Sequence, residues 1–219
     1  MEYKYIDIHT HHTEVSPDCI RILNYCPGYD REHPEGSKQY FSVGVHPWYI
    51  ESVKKMPGME LFSLRNVLAI GETGLDKLRG PAMDVQERWF VMHIMRSEQL
   101  SKPLILHNVK STQKILEHYK RNKPLQPWIM HGFQGNSNAI KQFERLPVYF
   151  SFGIRALISS KTIDFFRRVD PSKIFAETDE NSAAIELVYL SLAKIRETSV
   201  MELKKQVYKN FAVVFKTLH

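Results

Sequence analysis

The sequence contains few cysteines and no long apolar segment, and both shortages narrow the class of protein. Two cysteines, Cys19 and Cys26, among 219 residues provide no disulfide framework, which excludes a small secreted disulfide scaffold and indicates a reduced, cytoplasmic protein. No segment approaches the roughly 18 apolar residues that span a bilayer. The amino-terminal residues also lack the apolar run of a signal peptide, so no membrane partner is expected.

Linkers, repeats and strong charge are lacking as well. Because no repeat is visible and no Gly/Ser/Pro-rich linker divides the chain, residues 1–219 are interpreted as a single domain. Lysine and arginine number 30 against 24 acidic residues, and the net charge of +6 permits an anionic ligand without demanding one. A hydrophobic content of 43% excludes a disordered chain.

Short apolar runs alternate with helical patterns along the chain. Eight runs are predicted as strands, at residues 3–8, 20–25, 40–45, 67–70, 103–106, 127–130, 148–152 and 173–176. They are apolar on both faces, which is typical of parallel strands covered on both sides. Eight strands alternating with helices predict an α/β fold, a TIM-like (β/α)8 barrel, although 219 residues is near the lower limit for that fold.

The shortage of residues falls in the first two crossovers. Residues 12–20 and 27–39 leave little room for a packed helix. The second segment contains the helix breakers Pro27, Gly28, Pro34 and Gly36. We therefore predict that the first two crossover helices are reduced to loops. A barrel wall without helices exposes apolar surface, so we expect a partner subunit or the 27–39 loop itself to cover it.

Three helix faces and two helix starts are predicted from local spacing. The faces are Val85/Trp89/Met92/Met95, Ile185/Val188/Leu192/Ile195 and Leu203/Val207/Phe211/Val214. Residues 136–138 and 159–160 are predicted to contain helix N-caps, because Asn and Ser side chains accept hydrogen bonds from the first turn.

Residues of types that can bind metal ions occur at the ends of six of the predicted strands. They are Asp7, His9, His11, His46, Glu72, His107, His131, Glu177 and Asp179. Because the carboxyl ends of barrel strands carry the active site, we expect these side chains to converge. His9 and His11 lie two apart on a strand, point to the same face and can hold one metal together. Glu72 can offer one oxygen to each of two metals, a pair that can activate water.

A single histidine after a strand is more often a cap or a hydrogen-bonded core residue than a metal ligand. The combination is stronger, because a structural explanation needs six unrelated coincidences at matching strand ends. Asp179 is predicted to act as a metal ligand or a general base. Glu177 is predicted to orient a neighbouring residue as a hydrogen-bond acceptor. No functional role is predicted for the histidines that break the pattern, which are His12, His33, His93, His118 and His219.

These residues lie in segments that resemble motifs of the TatD family of metal-dependent deoxyribonucleases and hydrolases. Segments 7–11 (DIHTH), 44–47 (GVHP) and 69–76 (AIGETGLD) are similar to its first three motifs, and the third is the most specific. Segments 102–107 (KPLILH), 131–135 (HGFQG) and 175–179 (FAETD) follow in the family's order.

The resemblance implies a TIM-like barrel that binds two divalent metal ions, with Zn, Mn, Mg and Ni as candidates. One ion would be held by His9, His11, Glu72 and Asp179. The second would be held by Glu72, His107 and His131, with Glu72 bridging. A hydroxide on the metals would attack phosphorus, with Asp179 and Glu72 as the catalytic residues. The predicted substrate contacts are His46, Asp76 and Lys110.

Two departures from the family leave the substrate open. Asp179 is followed almost directly by a helix, without the family's loop, and Lys110 stands one residue beyond the family's usual arginine. The main hypothesis is a phosphodiesterase acting on DNA, with Lys110 and Arg155 on phosphates and an aromatic residue, Trp48, Tyr49 or Phe133, stacking a base.

Two alternatives remain open. One is a hydrolase of small phosphoesters, esters or amides on the same dinuclear site, for which a closed pocket rather than a basic groove is expected. The other is a non-catalytic metal-binding scaffold. A hydrolase of the polymerase-and-histidinol-phosphatase type is disfavoured because that group lacks the signature at 71–76. The oligomeric state is left open.

Overall fold

The structure, a computed structural model, describes residues 3–31, 33–135 and 141–216. It contains eight strands: β1 (Tyr5–Thr10), β2 (Cys19–Tyr25), β3 (Tyr40–Val43), β4 (Val67–Asp76), β5 (Leu104–Val109), β6 (Trp128–Met130), β7 (Val148–Phe152) and β8 (Ile174–Ala176). They form one sheet in the order in which they occur along the chain, and the described strand pairings are parallel. The eight predicted strands and the TIM-like (β/α)8 class are thereby confirmed.

Helices occupy the later connections. They are α1 (Ile50–Val53), α2 (Met59–Ser63), α3 (Met83–Leu100), α4 (Thr112–Asn122), α5 (Ser160–Arg168), α6 (Ile185–Ile195) and α7 (Val200–Phe215). Of the residues described between β1 and β2 and between β2 and β3, none is helical, so the first two crossovers are loops as predicted. The side chain of Ser159 caps α5 by accepting from the Thr162 N–H. The cap predicted at 136–138 lies outside the described residues.

The residues cluster into two compact units. The first comprises Met1–Ile22 and His131–His219, and the second comprises Leu23–Met130. The organisation of residues 1–219 as a single hydrolase domain stays a prediction.

The first unit is built on β1 and β8, which α6 and α7 cover. The hydroxyl of Tyr189 in α6 donates to the carbonyl oxygen of Ile6 at 3.0 Å and accepts from its N–H at 3.1 Å, which attaches the helix to β1. The predicted face of α7 is buried throughout, and so is that of α6 up to its half-buried last member, Ile195. Both helices therefore pack as their apolar spacing predicts.

The second unit is built on β3–β6, with α3 packed against β4. The predicted inner face of α3 is wrong, because Met95 is 55% exposed. The buried residues of α3 are Gln86, Phe90, His93, Ile94 and Ser97. Gln86 turns inward because its side-chain amide accepts from the Asp76 N–H and donates to the Asp76 carbonyl at the end of β4.

The wall at β2 is covered in the second unit by the chain's own loop. Leu23 and Tyr25 are buried, and the ring of Tyr25 lies edge-on to that of His33, with 5.3 Å between the centroids. Asp30 anchors the loop by accepting from the Cys26 N–H at 2.6 Å. These contacts favour the loop over a partner subunit as the cover, and the oligomeric state stays open.

Neither cysteine forms a disulfide, as predicted, and burial raises the pKa of each thiol to about 12. Among the residues that the structure describes, no helix combines the length and apolarity needed to cross a membrane.

Candidate metal centre

The first unit brings three predicted metal ligands together. One donor atom each of His9, His131 and Asp179 lies within 4.8 Å of the others. His9 Nε2 is 3.7 Å and His11 Nε2 is 3.8 Å from Asp179 Oδ1, and the rings of His9 and His131 have centroids 4.2 Å apart. His9 is fully buried, whereas the Asp179 side chain is 25% exposed. Two imidazoles and a carboxylate are a donor set suited to a divalent transition metal, with an open side for water or substrate.

The backbone of the first unit holds this cluster in place. The Asp179 N–H donates to the His9 carbonyl at 3.0 Å, and the His11 N–H donates to the Asp179 carbonyl at 3.1 Å. Asp179 itself adopts a left-handed conformation, with φ of +55°. Its position is therefore fixed by parallel pairing of the segments that follow β1 and β8.

The buried carboxylate of Asp7 binds the segment that follows β8. Its two carboxylate oxygens accept from the Thr178 N–H at 2.9 Å and the Thr178 hydroxyl at 2.7 Å. Burial raises the pKa of Asp7 to about 6, against the lowering effect of these two bonds. Asp7 thus fixes the residue that precedes Asp179.

Glu177 lies behind His131. Its Oε1 accepts from the Gly132 N–H at 2.5 Å and is 3.8 Å from His131 Nδ1. The carboxylate is almost fully buried, and no hydrogen-bond partner of Oε2 is present among the described residues. This placement agrees with the orienting role predicted for Glu177.

The second unit contains a cluster of His46, Glu72 and His107, whose donor atoms also lie within 4.8 Å of one another. Glu72 Oε1 is 3.2 Å from His46 Nε2 and 2.9 Å from His107 Nδ1. All three side chains are largely buried. His46, predicted to contact the substrate, is therefore placed as a candidate metal ligand.

Asp76 supports this second cluster from behind. Its Oδ2 is 3.2 Å from His107 Nε2 and accepts from the indole N–H of Trp48 at 2.7 Å. Burial acts to raise the pKa of Asp76, but hydrogen bonds from Trp48, the Leu78 N–H and His107 outweigh it and hold the pKa below its usual value. A carboxylate that stays ionised can orient His107.

The sequence did not predict two residues that support the second cluster. Asn24, buried on β2, accepts through Oδ1 from the Glu72 N–H at 2.9 Å and from the Ser42 hydroxyl at 3.3 Å. The only sequence signal is one amide among apolar neighbours. His93, assigned no role, accepts through Nε2 from the Val45 N–H at 2.9 Å, immediately before His46.

The remaining predicted contacts differ in exposure. Lys110 and Arg155 are exposed, which suits a contact with phosphate. Phe133 is buried among Phe150, Phe152 and Phe165, so it packs in the core and is not placed to stack a base.

Comparisons with known proteins all match this chain to TatD-related proteins or metal-dependent hydrolases. A family model described as "TatD related DNase" matches residues 29–216. The uncharacterized metal-dependent hydrolase YcfH of Escherichia coli is 27% identical over 90% of this chain and 82% of its own length. MJ1582 of Methanocaldococcus jannaschii, also an uncharacterized metal-dependent hydrolase, is 25% identical over 81% of this chain and 76% of its own length.

Two solved structures have the same fold. The TatD homologue YjjV of E. coli superposes with a TM-score of 0.80 at 21% identity, over 98% of each chain. A TatD family hydrolase from Entamoeba histolytica superposes with a TM-score of 0.77 at 15% identity, over 98% of this chain and 99% of its own.

Proposed function

Because this chain belongs to the TatD family of metal-dependent hydrolases, we propose that it is a phosphodiesterase that cleaves DNA with a water activated by two divalent metal ions. The observation that carries this proposal is the presence of two three-residue donor clusters, one in each unit. Each cluster combines two imidazoles with one carboxylate, which is the donor chemistry of catalytic transition-metal sites.

His9, His131 and Asp179 would hold one ion, with His11 beside Asp179, and His46, Glu72 and His107 would hold the other. The role of Glu72 as a ligand shared by both ions stays a prediction from the family resemblance. The ions would lower the pKa of a water molecule and stabilise charge on the leaving oxygen. The imidazole-rich donor sets favour Zn, Mn or Ni over Mg, which prefers oxygen ligands.

The protein's own groups supply proton transfer and orientation. The Asp179 carboxylate is partly exposed, and two hydrogen bonds of the Asp179 main chain fix the residue that carries it, which suits the carboxylate to accept the proton of the attacking water. Asp76 and Glu177 orient the imidazoles of His107 and His131. Lys110, exposed just after His107, is assigned to a phosphate of the substrate.

Replacing one donor of each cluster tests the proposal. We expect Glu72→Gln and His131→Ala to lower kcat/KM on single-stranded DNA by more than about 100-fold, because each removes a ligand while leaving the fold intact. Activity is measured with DNA, RNA and bis(p-nitrophenyl) phosphate, each with Mg, Mn and Zn, and folding by circular dichroism.

The matched control is Glu117→Gln, which removes an exposed carboxylate of α4 and is expected to keep the parent rate. Full activity of Glu72→Gln would show that the site assignment is wrong. Hydrolysis of small esters alone would favour the small-substrate alternative, and metal binding without hydrolysis of any substrate would favour the scaffold.

A further inference from the structure

An aromatic and cationic surface borders the second cluster. It consists of Tyr29, Trp48, Tyr49 and Arg79, and is called the aromatic patch below. The rings of Tyr29 and Tyr49 are stacked, with 3.8 Å between centroids and 18° between planes. The Arg79 guanidinium lies 3.8 Å from the centroid of the Trp48 ring. Both pairs lie in the second unit, so the whole patch belongs to one compact part of the fold.

The patch is attached directly to His46. The centroids of the Trp48 and Tyr49 rings lie 4.7 Å and 5.6 Å from that of His46. His46 Nδ1 accepts from the Trp48 N–H at 3.2 Å, which starts the short 3-10 helix that carries both aromatic residues. Trp48 also donates to Asp76, the residue that orients His107. A ligand on the patch would therefore reach the metal donors.

Tyr29 has an exposure that core packing does not explain. It is 57% exposed although one of its faces covers Tyr49, so aromatic surface remains open to water. Its position is nevertheless ordered, because the Tyr29 N–H donates to the Cys26 carbonyl at 3.0 Å and Gly28 adopts the left-handed turn, with φ of +81°. The residue belongs to the loop that stands in place of the second crossover helix.

Arg79 brings a cation to the same surface. A guanidinium stacked on an indole uses its face, while its N–H donors point outward along its edge toward phosphate oxygens. Arg79 is exposed and follows Asp76 in the chain by three residues, which places positive charge beside a cluster containing Glu72. Stacking surface and cation together are the two components that bind a single nucleic acid strand.

We propose that the aromatic patch is a nucleotide subsite, in which an unpaired base stacks on Tyr29 and an adjoining phosphate binds Arg79. The inference rests on the proposed phosphodiesterase activity and specifies how its substrate is held. A base inside a duplex has both faces covered by its neighbours, so the subsite selects an unpaired end over a paired one.

Binding is measured by fluorescence anisotropy with the metal-loaded full chain and a fluorescein-labelled phosphorothioate oligothymidylate, which resists hydrolysis. We expect Tyr29→Ala and Tyr29→Leu to weaken binding about 10-fold, because base stacking needs an aromatic ring. Tyr29→Phe is expected to retain the parent affinity. Arg79→Ala is expected to reduce the slope of log affinity against log salt by about one.

Two matched controls separate the subsite from general surface effects. Tyr40, 42% exposed at the start of β3, and Arg65, exposed just before β4, both lie at the strand ends opposite to the metal donors. Tyr40→Ala and Arg65→Ala are expected to bind as the parent does. An oligonucleotide of abasic sugar phosphates should bind parent and Tyr29→Ala equally.

The inference is overturned if Tyr29→Leu, folded as judged by circular dichroism, binds oligothymidylate as tightly as the parent. It is also overturned if Tyr40→Ala weakens binding as much as Tyr29→Ala. Because binding is measured without cleavage, a Tyr29-dependent affinity in a protein that cleaves no DNA would contradict only the proposed function. Cleavage of DNA without dependence on Tyr29 would contradict only the subsite.

Discussion

Asn24 is the side chain on which the backbone position of Glu72 depends. Its carbonyl oxygen is an acceptor for the Glu72 N–H, and both groups are buried. A buried N–H that loses its acceptor costs about 1–3 kcal/mol, and the strand can relieve that cost only by moving. A substitution of Asn24 is therefore expected to displace Glu72, a candidate metal donor, through its main chain.

We expect Asn24→Ala to lower the free energy of unfolding by about 1–3 kcal/mol and kcat/KM by about 10-fold. Urea denaturation and steady-state kinetics measure the two effects. Ser42→Ala is the control, because it removes the other bond to Asn24 and leaves the Glu72 N–H with its acceptor. Equal losses in the two variants would mean that Asn24 does not act through Glu72.

At the scale of single residues, the sequence points to candidate metal ligands more readily than to the residues that hold them in place. The residue type of a histidine or a carboxylate indicates that it can bind a metal ion. Its position after a strand indicates the edge of the sheet at which it lies. Asn24 and His93 have no such signal, since each acts by a hydrogen bond to a main-chain N–H far along the chain. Only the folded backbone shows which N–H an amide or imidazole meets.

His93 links two elements, α3 and the segment after β3. Nε2 accepts from the Val45 N–H, and Nδ1 lies 2.7 Å from the Trp89 carbonyl, which fixes the neutral ring as the tautomer with its proton on Nδ1. Burial lowers the pKa of His93 from its ordinary 6.5 to about 4. Helix α3 thus holds the residue before His46 through a neutral imidazole.

The lowered pKa of His93 predicts a pH dependence of stability. The unfolded chain takes up the proton near pH 6.5 and the folded chain near pH 4, so stability is full above pH 6.5 and falls between these values. We expect His93 to contribute a loss of up to about 3 kcal/mol across this window. Urea denaturation at a series of pH values measures it.

The comparison with His93→Gln isolates this contribution. Asp7, whose pKa is raised to about 6, acts in the opposite direction, because its stabilisation is lost as the pH rises through that value. It is present in both proteins and cancels in the difference. The variant should show a flatter profile below pH 6.5, and an unchanged slope would exclude His93 as the source.

Helix faces were predictable where packing is purely apolar. The faces of α6 and α7 follow from the spacing of isoleucine, leucine, valine and phenylalanine alone. On α3 the buried face includes Gln86, His93 and Ser97, which bond to main-chain groups or strand ends. A face predicted from apolar residues alone was therefore the wrong face of α3. The sequence does not distinguish a polar residue with a buried partner from one that faces water.

For the whole molecule, we expect metal binding and folding stability to be coupled. Each unit contributes its own donor cluster, so ions that bind only the folded chain shift its unfolding equilibrium by mass action. A ligand at about 100 times its Kd contributes about 2.7 kcal/mol. The stability of this chain is therefore expected to depend on the ion concentration.

We expect dialysis against EDTA to lower the Tm, and added Zn or Mn to restore it. Elemental analysis should find two ions per parent chain and one fewer in Asp179→Asn, which keeps the volume of the side chain. Asp164→Asn, at an exposed aspartate of α5, is the control. A Tm indifferent to EDTA, or an unchanged ion count in Asp179→Asn, would contradict the assignment of metals to these clusters.

The barrel itself was predictable because eight short apolar runs recur along the chain and six of them end in a histidine or a carboxylate. The trimmed crossovers followed from length, since 219 residues cannot supply eight strands and eight full helices. The identity of the substrate was not predictable, because loops such as 26–39 have no period. The stacking of Tyr29 on Tyr49 joins residues from two connections that no local pattern relates.

The loop between β2 and β3 carries Tyr29 but none of the candidate metal donors. The candidate metal donors stand at or just beyond strand ends, whereas Tyr29 stands in a loop, and loops generally tolerate substitution better than the elements they connect. With Tyr29 as the proposed stacking surface, mutation in this loop is expected to alter which ligand is preferred without altering the chemistry. A chain built this way can diverge in specificity by drift in one short segment, and the same segment is the natural target for a designed library.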